Sequence, residues 1–309
     1  MSRVHSNLIV SLSLCYINFD KDSFFQGVLQ LSNLEKLHIE YVVVSEKGLI
    51  CLLKLPGTKL KDLTLRNNRF TSFNGIALAE SNLIFPHLED LMLEFGKQLT
   101  ANSLVALLNI PGDKLKQLEI LVSYSIHFPA LLSPESGQKY PLLHTLVVRC
   151  QQTRRVSGLN DLFSLPGHNL KHLTLDALNM KDLINLSPEI KFPKLQDLIL
   201  HDIRGLSETS LKSILELPGD QLINLDLSGI DFLSLNPDMS FSGIHFPELE
   251  ALNLEYCDGL YGNQLQYLLR VPGRKLNTLN LRHTGLDENG VRTLCLETII
   301  DGERLSIST

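Results

Sequence analysis

The sequence predicts an α/β fold: a right-handed solenoid bent into a horseshoe, with a parallel sheet lining its concave side. Three observations predict it. A six-residue apolar pattern returns in register from near the N-terminus to near the C-terminus. Alternate copies are followed by an amphipathic helix pattern. No Pro/Gly/Ser-rich linker interrupts the series, so residues 1–309 read as one domain.

The pattern is apolar-x-x-apolar-x-apolar. It reads Leu34, Leu37, Ile39 and then Leu60, Leu63, Leu65, and recurs with first anchors Leu88, Leu115, Leu143, Leu170, Leu195, Leu222, Leu249 and Leu276. An upstream copy lies at Ile9, Leu12 and Leu14, and a partial one at Leu305 and Ile307. Successive first anchors from Ile9 to Leu276 stand 25 to 28 residues apart. Strand side chains alternate, so the second and third anchors share the inward face.

A longer period lies above this one. Alternate repeats end in Pro-Gly, at Pro56-Gly57, Pro111-Gly112, Pro166-Gly167, Pro218-Gly219 and Pro272-Gly273. The others end in aromatic-Pro, at Phe85-Pro86, Tyr140-Pro141, Phe192-Pro193 and Phe246-Pro247. The unit is therefore a doublet of about 54 residues. The Pro-Gly repeats predict outer helices. Ser45 and Ser207 are N-caps, with Glu46 and Glu208 in the first turn. Leu211, Ile214 and Leu215 make one apolar face, as do Leu49, Leu52 and Leu53, and Leu104, Leu107 and Leu108. Ser210 is expected off that face. Pro-Gly ends each helix, Gly being expected to permit the turn. The aromatic-Pro repeats carry breakers such as Pro188 and Pro237, which predict 3₁₀ turns or extended loops.

These residues resemble the leucine-rich-repeat superfamily, in particular its intracellular members with strand-plus-helix repeats, over about residues 8–308. The family's Asn or Cys, three places after the third anchor, stands here as Asn68 and Cys257. Val42, Gly96, Ser123, Gln151, Leu178, Ile203, Ile230 and Thr284 hold that place elsewhere. The ladder that Asn supplies must then be replaced in part by water or main-chain turns. The resemblance implies protein recognition, as in substrate receptors of ubiquitin ligases and the sensing ends of immune receptors. It also allows the regulation of another enzyme, by a GTPase activator or an inhibitor. No F-box or nucleotide-binding domain accompanies the repeats in this sequence.

Composition narrows the functional classes. Hydrophobic residues make up 44% and the formal charge is −6, which excludes a disordered chain. The longest basic runs are the pairs Arg154-Arg155 and Arg274-Lys275, so no nucleic-acid partner is expected. The apolar run Leu8–Phe19 meets Asp20 with no small-residue cleavage site and lies on the repeat register, so it reads as a repeat strand rather than a signal peptide. No run is long enough to span a membrane, and no membrane partner is expected. Cys15, Cys51, Cys150, Cys257 and Cys295 are scattered and odd in number, which predicts buried free thiols in a reducing compartment, the cytoplasm.

Catalysis is not expected. The sequence lacks G-x-x-x-x-G-K-[ST], G-x-G-x-x-G, H-E-x-x-H and G-x-S-x-G. His168 falls in a turn and His172 on a strand, so their spacing of four makes no metal site, and no cofactor is expected. The fifth and seventh repeat positions should face solvent on the concave sheet. The candidate protein-binding residues there are Met92, Glu94, Leu121, Val147, Arg149, Ile199, His201, Asn253 and Glu255. Met92, Leu121, Val147 and Ile199 would give an apolar centre with a charged rim. Tyr41, Phe95 and Tyr256 follow one place further on. In the regulator reading, Arg66, Arg149 or Arg282 would meet a partner's phosphate. Terminal repeats need polar caps, and neither end carries one. Both ends are expected to be uncapped, with the native protein extending further or the open ends pairing with other chains.

Overall fold

The computed structural model describes residues 8–19, 30–95, 100–123, 126–128, 140–181, 186–236, 241, 243–260, 262–286 and 306–308. They fall into two compact units, Met1–Thr145 with Ser164–Gly167, and Leu146–Phe163 with His168–Thr309. The segment Ser133–Gln138, an inter-repeat loop by sequence, lies outside the described residues.

In the first unit the elements are β1 (Ser11–Cys15), β2 (Lys36–Glu40), β3 (Val43–Val44), α1 (Glu46–Leu53), β4 (Asp62–Phe70), α2 (Ile76–Glu80), β5 (Asp90–Phe95), α3 (Ala101–Leu108), β6 (Gln117–Val122) and β7 (Ile126–His127). β1, β2, β4, β5 and β6 pair in that order, all parallel, and β3 pairs with the far end of β4. The register sets anchor beside anchor: Leu12, Leu37, Leu63, Leu91 and Leu118 form one row. In the second unit come β8 (Thr145–Ser157), α4 (Leu159–Phe163), β9 (His172–Asn179), β10 (Asp197–His201), α5 (Glu208–Leu215), β11 (Asn224–Asp226), β12 (Ala251–Asn253), α6 (Gly262–Leu269), β13 (Thr278–Asn280) and β14 (Ser306–Ser308). From β9 to β14 the strands pair in chain order and in parallel. Every anchor from Leu34 to Leu254 is buried, and so are the apolar helix faces. Together they form the core of each unit. The β1 anchors Leu12 and Leu14 are half-exposed.

The helix starts agree with the sequence. Ser45 and Ser207 accept from Gly48 N and Ser210 N, each at 3.1 Å. Two expectations fail. Ser210 is fully buried, bonded to the Ser207 hydroxyl at 2.7 Å, because the third helical position turns beneath the N-cap. The aromatic-Pro repeat ending at Phe85 holds a short α-helix, α2, in place of a 3₁₀ turn or loop. Its cap comes from the preceding repeat: the buried Glu46 carboxylate accepts from Leu78 N at 3.0 Å and Asn74 N at 3.2 Å. The repeat ending at Phe246 does carry a 3₁₀ turn, Phe232–Ser234.

The doublet has a packing cause, and it corrects the reason for its glycines. None of the five Pro-Gly glycines has a positive φ, so none is required by turn geometry. Instead each aromatic-Pro corner docks on the following Pro-Gly corner. Phe246 N donates to Val271 O at 2.8 Å, and Gly273 N donates back to Phe246 O at 2.9 Å. A Cβ on Gly273 would stand 2.7 Å from Pro247 Cα, and one on Gly219 would stand 2.9 Å from Pro193 Cα. Glycine is needed for close approach.

The Asn ladder forms where its residue exists. Asn68 Oδ1 accepts from Val42 N at 2.9 Å and Nδ2 donates to Ile39 O at 2.7 Å. Cys257 Sγ donates to Leu227 O at 3.2 Å, and Thr284 Oγ1 donates to Leu281 O at 2.8 Å. Val42, Leu178, Ile203 and Ile230 are buried apolar replacements. Main-chain bonds between repeats serve there, as from Arg204 N to Leu178 O at 2.9 Å. Burial pushes the Cys257 thiol up to about 12. Cys150 is buried as expected, whereas Cys15 is exposed, and none of the four described cysteines is in a disulfide.

Candidate functional site

Alternation along each strand sends the anchors into the core and the residues between them to the open sheet face. Of the sequence-predicted face residues, Met92 and Leu121 are half-buried in the first unit, and Val147, Ile199, Asn253 and Glu255 in the second. Arg149 and His201 are exposed. Glu94 is 1% exposed, although its position faces outward. The exposed Arg66 of the neighbouring strand covers it, Nε to carboxylate 2.6 Å. That bond, and secondarily the charge of Glu94, raises the Arg66 guanidinium above its ordinary value.

The ladder determines which of these residues meet. Met92 lies between Thr64 and Glu119, and Glu94 lies beside Leu121. Ile199 lies between Thr174 and Asp226, and Asp226 separates it from Asn253. Met92, Leu121 and Ile199 are thus set beside polar neighbours in the ladder.

The polar neighbours are fixed by contacts from strand to strand. Asp176 receives Arg149 Nε at 3.6 Å and His201 Nδ1 at 2.9 Å. Asn253 Nδ2 donates to Asp226 at 2.9 Å, and Asn280 Nδ2 to Glu255 at 3.1 Å. His172 and Asn224 both bond Asp197. The fifth-position acids and amides have a second effect. Asp226, Asn253 and Asn280 accept from the backbone N–H two residues on, at 2.8, 3.1 and 3.2 Å. Such local bonds compete with the ladder, and β11, β12 and β13 end at these three residues. Near the carboxylate of Asp62, burial and then charge raise the pKa of Asp90.

One place past the seventh position the backbone turns left-handed in eight of the repeats. Tyr16, Tyr41, Asn67, Ala177, Asp202, Tyr256 and His283 all have φ between 48° and 57°, and Gly229 has 71°. Asn, Asp, His and Gly adopt this conformation readily, whereas Tyr seldom does. Tyr16 and Tyr41 stack, centroids 4.9 Å apart, and so do Tyr256 and His283, 4.6 Å apart with planes 9° from parallel. All four are exposed. The sequence placed Tyr41 and Tyr256 beside the face but did not reveal their stacking partners. The missed sign was an aromatic at the same repeat position in two successive copies. The Phe95 backbone continues β5, and its side chain lies outside the described residues.

Among the described residues no helix is long and apolar enough to cross a membrane. No family model matches the sequence, and no curated protein matches it. Similar solved structures include an internalin from Listeria monocytogenes, at 16% identity and a TM-score of 0.48 over 98% of this chain and 88% of that one. The plant peptide hormone receptor RGFR1 in complex with RGF2 has 16% identity and a TM-score of 0.47 over 90% of this chain and 44% of that one. A leucine-rich-repeat protein of Leptospira interrogans has 15% identity and a TM-score of 0.36 over 99% and 97% of the two chains. With its own anchors in register, paired in parallel and buried, the chain has the leucine-rich-repeat fold.

Proposed function

We propose that the chain is a non-catalytic recognition module that presents its sheet face to a protein ligand. The observation that carries this reading is the pre-fixed polar array on that face. Arg149 and His201 converge on Asp176, Asn253 is held by Asp226, and Asn280 by Glu255. Side chains already held in place lose less rotamer freedom on binding, which favours association. Apolar Met92 and Leu121 in the first unit, and Ile199 in the second, stand beside polar groups in the ladder, the mixture that protein interfaces use. The buried thiols of Cys150 and Cys257, neither of them in a disulfide, favour a reducing compartment, and we place the protein in the cytoplasm.

The test compares captured partners across variants. The wild type, Arg149→Glu with His201→Glu, and the control Lys212→Glu on helix α5 are used as baits, and bound proteins are identified by mass spectrometry. The expected result is a partner retained by wild type and control and lost from the double variant. A partner set identical across all three baits refutes the sheet face as the binding surface. The regulator reading has one favourable observation, the exposed Arg282 side chain. Stimulated GTP hydrolysis by added GTPases, abolished by Arg282→Ala, is the outcome that would establish it.

A further inference from the structure

In the second unit the left-handed positions of successive repeats are Asp202, Gly229, Tyr256 and His283. The main chain holds them at ladder spacing: Asp202 N donates to Ser228 O, Gly229 N to Glu255 O and Tyr256 N to Arg282 O, at 2.8 to 2.9 Å. Tyr256 therefore has two different neighbours in the row. On one side His283 covers its ring face. On the other side stands Gly229, which has no side chain. The resulting gap opens into a cleft of about 420 Å³, lined by Tyr256, Gly229, Asp202, Arg204, Asp231 and Asp258 among others. Tyr256 is 58% exposed.

We propose that this cleft receives an arginine side chain of a protein partner, its guanidinium stacked on the open face of Tyr256. The inference rests on the protein-binding reading above and names the chemistry that the partner must bring. An aromatic face with an unfilled slot one repeat wide accepts a flat group at stacking distance. The slot's walls carry three carboxylates against one guanidinium, and that one, Arg204, is already beside Asp202, Nε to Oδ1 3.4 Å. A cation is therefore favoured over a neutral or anionic ring. Guanidinium fits better than ammonium because it is planar, stacks on aromatic faces and pairs carboxylates through several N–H groups. His283 behind the ring keeps Tyr256 in place before the ligand arrives.

The test is a titration of the whole chain, labelled with carbon-13 at tyrosine, with three blocked tripeptides: Gly-Arg-Gly, Gly-Lys-Gly and Gly-citrulline-Gly. The arginine peptide is expected to shift one tyrosine ring saturably. That resonance is absent from Tyr256→Gly, a variant that glycine's freedom at positive φ leaves folded. The lysine peptide is expected to bind at least about threefold more weakly, and the uncharged citrulline peptide not measurably. Asp258→Asn is expected to weaken the arginine peptide at least about threefold. No saturable shift, equal shifts from all three peptides, lysine binding as tight as arginine, or undiminished binding to Tyr256→Gly would each overturn the proposal. Absence of peptide binding, with partner capture still lost in Arg149→Glu with His201→Glu, overturns this cleft and leaves the sheet-face reading standing. Peptide binding together with an unchanged partner set does the reverse.

Discussion

Glycine, carboxylate and aromatic side chains show how single residues fit this architecture. Gly273 and Gly57 occupy equivalent corners, yet a Cβ would meet Pro247 Cα at 2.7 Å in one and Ser32 Cα at 3.4 Å in the other. Gly273→Ala is expected to destabilise by about 1–3 kcal/mol through overpacking, and Gly57→Ala by clearly less. Urea melts of the two variants measure this, and equal losses would contradict the close-approach account. Asp90 gives a pH-dependent case. Its pKa is raised in the native state, chiefly by burial and then by Asp62. The native state therefore holds the proton more readily than the unfolded chain, whose value is about 3.9. The ionised group opposes folding above the native pKa, and the opposition fades as the pH falls from there towards the unfolded value, below which it is gone. Asp90→Asn is expected to raise the urea midpoint at neutral pH, with no gain near pH 3. A gain of the same size at both pH values would contradict the assignment.

At the scale of elements, helix faces were legible and helix undersides were not. Leu211, Ile214 and Leu215 recur at helical spacing, and all three are buried. Leu215→Ala is expected to cost about 2–4 kcal/mol, the range for a deleted core leucine. Ser210 was read as lying off the apolar face, and it is buried because the N-cap hydroxyl folds over it. Ser210→Ala is therefore expected to cost about 1 kcal/mol, the usual worth of a lost hydrogen bond. Thermal melts decide this, and a neutral Ser210→Ala would return it to the surface. The helix α2 was missed for a related reason. Its N-cap Gly75 supplies no capping side chain, and its cap, Glu46, belongs to the previous repeat. A rule applied to one repeat at a time cannot see a cap lent by the neighbour. Strand shortening was readable in principle, since Asp226, Asn253 and Asn280 share one repeat position.

For the whole molecule, the repeat carries the fold and leaves the ligand open. Apolar anchors at fixed spacing define strand, register and inward face, because only neighbouring repeats can bury them. The face was legible as a set of positions, but not as a surface. Its pairing across strands, Arg66 on Glu94 or His201 on Asp176, depends on which rotamers meet in the ladder. The stacked Tyr256 and His283 depend on a left-handed backbone that the residue types alone would not suggest. Anchors and corners hold the repeats together, whereas fifth and seventh positions make the proposed binding surface. A saturation scan that reads abundance and partner capture for every variant tests that separation most directly. The account predicts loss of abundance at anchors such as Leu198 and Leu225 and at corners such as Gly219 and Gly273. It predicts loss of capture at normal abundance at Arg149, Ile199 and His201. Capture lost only where abundance is lost would contradict it.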